Sequence, residues 1–320
     1  MSAPVQTKNR GVSSPIPPSE KFAANLARIR EAITRAGDLP TLPQVAVEVS
    51  RLAFNPVTAM GDLVRVIRND LSLTAKILRV ANSAFYGMSR HVESLNAALV
   101  LLGMRELIHL VTCISVFRAF PTKPGQPTFD RKAFWIHSAG CGEIARSLTH
   151  RLKPRLNSTE FTAGLLHDLG KIVLDQYFHD DFMEALRLSY AEGLSMVEAE
   201  ERVLGVNHAE IGLWLAGMWN LPTVICDAIT YHHTPAKAPR ESGSLVAIIH
   251  LANNLCKHAG IGFSGNKIDE EITDGAAWEI LVQMNPEIIR LDFKQFVLEI
   301  EDNIARAREF VNIASEYSDS

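Results

Sequence analysis

Cysteine is scarce in this chain. There are four in 320 residues, at positions 113, 141, 226 and 256, none in a C-x-x-C pair and each within an apolar stretch. A disulfide framework is excluded, and the four read as buried thiols of a reducing compartment. A basic excess is also missing. Thirty-two Lys and Arg against 36 Asp and Glu give a formal net charge of −4, which is not the footprint of a dedicated nucleic-acid binder. Segments with period-two alternation are almost absent, which argues against a sheet-based fold. No apolar run approaches the roughly 20 residues that a bilayer span requires. The most apolar region, 95–120, is interrupted by Arg105, Glu106 and His109. The opening residues, MSAPVQTKNRGVSSPIPPSEK, have no apolar core of the kind a signal peptide carries. There is no internal repeat. The expectation is a cytoplasmic protein without a membrane span.

What remains is a globular, helical chain. It is 47% hydrophobic and 21% charged, too apolar to be disordered as a whole. LARIREAITRAG, PQVAVEVSRLAF, MGDLVRVIRND and LTAKILRVANSAF repeat apolar residues at helical spacing. SLNAALVLLGMRELIHLVTCISVF reads as one buried helix or two, with Gly103 as a break. PTKPGQPTFD, with three prolines and a glycine, cannot continue a helix. The division that follows is a flexible tail over 1–21, an N-terminal helical lobe over 22–120, a linker over 121–130, a second lobe over 131–260 and a helical extension over 261–320. Asn157 with Glu160, Ser195 with Glu198 and Asn207 with Glu210 carry the capping-box spacing of helix starts. Pro222 suits a first helical turn. Trp135, Trp214 and Trp219 read as core. Arg65, Arg68, Lys76 and Arg79 fall where two helices would present a basic face, with solvated charge as the simpler account and nucleic-acid binding as a weak one. The class is all-α in two lobes.

Five histidines of the second lobe stand out: His137, His167, His208, His232 and His233, together with Asp168. Adjacent helical residues point about 100° apart, so the His167–Asp168 pair suits flanking one ion or bridging two, and the His232–His233 pair does likewise. Asn207 as a cap would set His208 in a first helical turn, beside unsatisfied N–H groups that suit an anion as well as a ligand. Each imidazole lies in an apolar helix and therefore needs a partner. Singly, each is read as a satisfied core residue. Clustered, with Leu-Gly-Lys after the His-Asp pair, they read equally as a metal centre or as satisfied core residues.

These residues carry a resemblance to a known family. LPTLPQVAVEVSRL, RNDLSLTAKILRVANSAFYG and SLNAALVLLGMRELIHLV in the first lobe, then WIHSAG, AGLLHDLGKIVL, VNHAEIGLWLAGMWNLP and AITYHH in the second, resemble the HDOD branch of the HD superfamily of metal-dependent phosphohydrolases. The resemblance implies an HD-like helical arrangement in the second lobe. It implies that His137, His167, Asp168, His208, His232 and His233 ligate one or two divalent transition-metal ions (Fe, Mn, Zn or Ni). Lys171 would meet a substrate phosphate. The last family ligand, an aspartate, falls at Asn253, an amide that ligates without charge, and no Gly-Tyr-Pro motif follows the His pair.

HDOD domains are viewed as output domains of bacterial signalling proteins. The implied function is therefore a regulatory, non-catalytic module with a protein partner and room for a nucleotide ligand; a homodimer through 261–320 is compatible with it. The alternative is a phosphohydrolase of a nucleotide or cyclic dinucleotide, with Asp168 and Lys171 as its catalytic pair. Asn82, Ser83 and Tyr86 would cap or bridge the lobes. His91, His109, His150, His179, His250 and His258 match no ligand motif.

Overall fold

A computed structural model describes residues 43–53, 59–121, 129–152, 159–265, 275–299 and 301–315, together with positions 27, 29 and 31. The tail over 1–21 and most of the 121–130 linker lie outside the described residues. Among those described, the chain forms α-helices, two short 3-10 turns and no strand.

The first elements are α1 (Gln44–Ala53), α2 (Met60–Arg68), α3 (Leu71–Ala81), α4 (Leu95–Leu102) and α5 (Met104–Ala119). Gly103 separates the last two at φ 84°, a conformation that favours glycine, and the pair is bent by 117°. The long apolar run is thus two helices. Among the described residues, no single helix is long and apolar enough to cross a membrane.

The site-bearing elements follow: α6 (Arg131–Leu152), α7 (Glu160–Leu166), α8 (Leu169–Tyr177), α9 (His179–Glu192), α10 (Met196–Leu204), α11 (His208–Met218), α12 (Thr223–Tyr231) and α13 (Gly243–His258). The chain closes with α14 (Gly275–Met284), α15 (Phe293–Glu299) and α16 (Glu301–Ser315). Ser195 and Asn207 cap α10 and α11 through complete capping boxes. Of the third expected box only Glu160 is described. Helix α7 starts at Glu160 itself behind Thr159, so Glu160 occupies the first helical position, too early to reach back as a box requires, and Asn157 lies outside the described residues. Pro222 is the N-cap residue of α12, one position earlier than the first turn.

One apolar core runs through both halves of the chain. The NSAFYG turn supplies part of the seam. Asn82 accepts from the Val92 amide at 2.7 Å and donates to the Val92 carbonyl at 2.9 Å, which pins the turn to the following segment. The Tyr86 hydroxyl donates to Glu106 at 2.7 Å, and Arg146 of α6 approaches the same carboxylate at 3.7 Å. Phe85 packs edge-on to Phe161 of α7, with centroids 5.4 Å apart, and against Phe310 of α16 at 5.2 Å. Helix α16 lies across α3, α5 and α6. It also buries Lys76, which is 2% exposed and donates to the Ala314 carbonyl at 2.6 Å. Lys76 therefore leaves the basic face read from the sequence, because a distant helix covers it.

Close helix contacts fix the site geometry. A Cβ on Gly164 would lie 2.5 Å from the Gly142 Cα, so α6 and α7 cross backbone to backbone. A Cβ on Gly170 would lie 1.9 Å from the His208 carbonyl oxygen. Gly170→Ala must push α8 from α11, and overpacking of this kind costs about 1–3 kcal/mol. The expected result is a lower urea midpoint with helical content kept, read by circular dichroism; an unchanged midpoint would mean that the α8–α11 contact is not tight.

Candidate metal centre

Four segments bring the six expected side chains together. His137 stands in mid-α6. His167 and Asp168 form the break between α7 and α8, as C-cap of one and N-cap of the other. His208 is the first residue of α11. His232 ends α12 and His233 follows it. Asn253, the seventh expected ligand, comes from α13. All are buried except His233, which is half-buried. Two ligand groups result: Asp168, His208, His232 and His233, and His137, His167 and Asp168, with the ligand atoms of each within 4.8 Å of one another.

The ring tautomers follow from their anchors. His167 Nδ1 is 2.7 Å from the Gly164 carbonyl, and His232 Nδ1 is 2.9 Å from the Ile229 carbonyl. Carbonyls only accept, so in both rings Nδ1 carries a hydrogen and Nε2 is the atom left to ligate. His208 Nδ1 donates to Glu200 Oε2 at 2.6 Å, with the same consequence. His137 Nδ1 lies 3.3 Å from the Ile261 carbonyl, and its Nε2 faces the Asn253 side-chain amide at 3.0 Å.

Lone pairs therefore converge on a carboxylate. His167 Nε2 is 3.3 Å from Asp168 Oδ2; His208 and His232 Nε2 are 3.2 and 3.4 Å from Oδ1. His167 Nε2, His232 Nε2 and Asp168 Oδ1 are buried without a hydrogen-bond partner. Buried polar atoms are normally paired. Three such orphans, all able to donate electron pairs, fit a cation.

The charges within the site set the protonation of these groups. Burial pushes the His137 and His232 imidazoles down to about 3, aided at both rings by the charge on His167. Burial also holds His233 well below the usual range, helped by His232 and His208. For Asp168 burial acts upward, but His167 and Lys171 outweigh it and keep the carboxyl well below its ordinary value. Burial likewise opposes charge on His167, yet the Asp168 carboxylate lifts it to about 10. His137, His232 and His233 are thus neutral beside an ionised aspartate, the state ligation needs, while Glu200 raises His208 against its burial and a bound cation would take the place of the His167 proton.

Lys171 lies where the sequence did not place it. Its ammonium is 2.7 Å from Asp168 Oδ2 and 1% exposed, so it neutralises the aspartate and does not face outward to a phosphate. Two further groups escaped sequence reading. Glu200 of α10 is fully buried and accepts from both the His208 Nδ1–H and the His208 backbone N–H, the latter at 2.8 Å. The anion that suits the start of α11 is thus the protein's own carboxylate. The signal was present: Glu200 is spaced i+4 from Met196 and i−4 from Leu204, both buried, and so lies on the apolar face of α10. His250 matches no ligand motif, yet its Nδ1 donates to the His232 carbonyl at 2.7 Å and positions that turn.

Comparison with known proteins agrees with the geometry. The model of the HDOD domain family matches residues 39–235. A crystal structure of an HDOD domain protein of unknown function from Geobacter sulfurreducens is 27% identical, with a TM-score of 0.73 over 91% of this chain and 98% of that one. A Shewanella amazonensis SB2B protein provisionally named a phosphohydrolase, 23% identical, superposes with a TM-score of 0.67 over 90% of this chain and 98% of its own, and so shares the fold. A curated relative from Treponema pallidum (strain Nichols), named only as uncharacterized, is 28% identical over 234 residues, which are 73% of this chain and 44% of the relative. The chain thus spans less than half of that relative's length.

Proposed function

Because the chain belongs to the HDOD family, we propose that it is a signalling module that holds one or two divalent transition-metal ions in its HD-type pocket and passes a conformational signal to a protein partner without turning over a substrate. Closure of the site on every side but that of half-buried His233 is the observation that carries this reading. Asp168, His167, His208 and His232 are fully buried, and Lys171 is 1% exposed. A hydrolytic centre keeps an open coordination position and a path for the phosphate, whereas a structural or sensing centre is closed. The Lys171 ammonium, expected to meet a phosphate, is already paired with Asp168. The seam through Phe85, Phe161 and Phe310 gives such a module a route between halves, since Phe161 lies on the helix that ends at His167.

A second reading, hydrolysis of a nucleotide or cyclic dinucleotide, is favoured by one observation: the full set of imidazoles around Asp168 is kept. It requires Lys171 to leave Asp168. The purified chain, supplied with Mn²⁺ or Fe²⁺ and a panel of nucleotides and cyclic dinucleotides, is expected to retain metal and release no product. Turnover that disappears in Asp168→Ala would overturn the regulatory reading.

A further inference from the structure

Asp168 stands between two sets of imidazoles that the protein treats differently. On its Oδ1 side, His208 Nε2 lies at 3.2 Å and His232 Nε2 at 3.4 Å, and His233 Nε2 is 3.0 Å from His208 Nε2. Ligands held about 2.0–2.1 Å from a common ion in tetrahedral array sit roughly 3.3 Å apart, and these separations bracket that value. Oδ1 and His232 Nε2 are buried without hydrogen-bond partners. Glu200 stands behind His208, its carboxylate on the far ring nitrogen at 2.6 Å, an arrangement that fixes the ring and makes the ligating nitrogen more basic. Two carboxylates, Asp168 and Glu200, therefore face this side, which matches the charge of a divalent ion.

The Oδ2 side is different. A cation is already there: the Lys171 ammonium, at 2.7 Å. His137 and His167 are the imidazoles of this side, and His137 Nε2 faces at 3.0 Å the neutral amide of Asn253, where a carboxylate would have supplied a second negative charge. Among the described residues, no carboxylate but the shared one groups with these two rings. A divalent ion would meet the ammonium with nothing to offset it, and a buried charge without compensation is strongly disfavoured.

We infer that the chain holds a single divalent ion on the Oδ1 side, among Asp168, His208, His232 and His233, with Glu200 as positioning residue, and that Lys171 and Asn253 keep a second ion from the side where His137 and His167 stand. The inference rests on the metal-holding reading above and narrows it to one position.

Metal content separates the two. The purified chain, equilibrated with Zn²⁺ or with Mn²⁺ and freed of excess ion, is expected to carry one equivalent by elemental analysis. His233→Ala, at the half-buried ligand, and His208→Ala should lose it. His137→Ala should keep it. Asn253→Asp, which adds the missing carboxylate, should raise the content toward two. Glu200→Gln, with circular dichroism unchanged, should weaken Zn²⁺ affinity about 10–100-fold, a readout that stands even where His208→Ala does not fold. Two equivalents in the unaltered chain, loss of metal in a folded His137→Ala with retention in His233→Ala, or unchanged affinity in Glu200→Gln would overturn the one-sided assignment while leaving metal holding intact. No equivalent in the unaltered chain would overturn both.

Discussion

Asp168→Ala is expected to lower the unfolding free energy by about 3–5 kcal/mol, the range for removing one partner of a buried ion pair, and to abolish metal retention. The lysine partner causes the first effect. Lys171 is 1% exposed, with its ammonium 2.7 Å from Asp168 Oδ2, so the variant leaves a positive charge in the interior. The double variant Asp168→Ala/Lys171→Met is expected to recover most of the stability and none of the metal, which separates the structural part of the aspartate from its ligand part.

His167 adds a pH dependence. Asp168 lifts it to about 10 from an ordinary 6.5, so in chelator-treated protein its contribution is fully present below pH 6.5 and is lost as pH rises through about 10. The gap between the parent chain and Asp168→Ala should narrow over that window. Urea unfolding at several pH values checks both effects. A single variant within 1 kcal/mol of the parent would show that the buried pair does not hold the junction of α7 and α8.

Phe310→Ala is expected to cost about 3–5 kcal/mol, the range for truncating a buried aromatic. Phe310 is fully buried against Phe85, Phe117 and Phe161, with centroids 5.2, 6.0 and 5.6 Å away. These rings come from the NSAFYG turn, α5 and α7, so one truncation opens a cavity where both halves of the chain and α16 meet. Because α7 ends at His167, the loss should also loosen the metal centre, seen as faster metal release to a chelator at a temperature where the variant is still folded. A urea midpoint close to the parent's would mean that α16 is an appendage and not part of the core.

Much of this arrangement was legible in the sequence, for physical reasons. Helical spacing of apolar residues fixed the class, and Gly103 marked the bend between α4 and α5. Local chemistry announced two helix starts, since the Ser195 and Asn207 boxes need only residues three apart. Glu160 shows the limit of the same rule, because it begins α7 instead of following its cap by three. The imidazoles converge because each lies at or near a helix end or in an apolar helix, where an unpaired ring would be costly. Lys76 could not be read, because its burial depends on α16, more than two hundred positions away. Glu200 was hidden for another reason. In MVEAEERVL it is one of three glutamates, and only its place on the apolar face distinguishes it from its solvated neighbours. Lys171 pairs with Asp168, which sequence spacing alone does not give, because it does not tell whether a lysine one turn from an aspartate turns toward it or toward a ligand.

Diffraction from crystals of the purified chain, with data collected on either side of the absorption edge of the retained metal, tests the account most directly. The expected result is an anomalous peak inside the buried cage, in contact with Asp168 and the surrounding imidazole nitrogens. A cage without such a peak, in crystals of protein equilibrated with Zn²⁺ or Mn²⁺, would contradict the claim that these lone pairs were gathered to hold an ion.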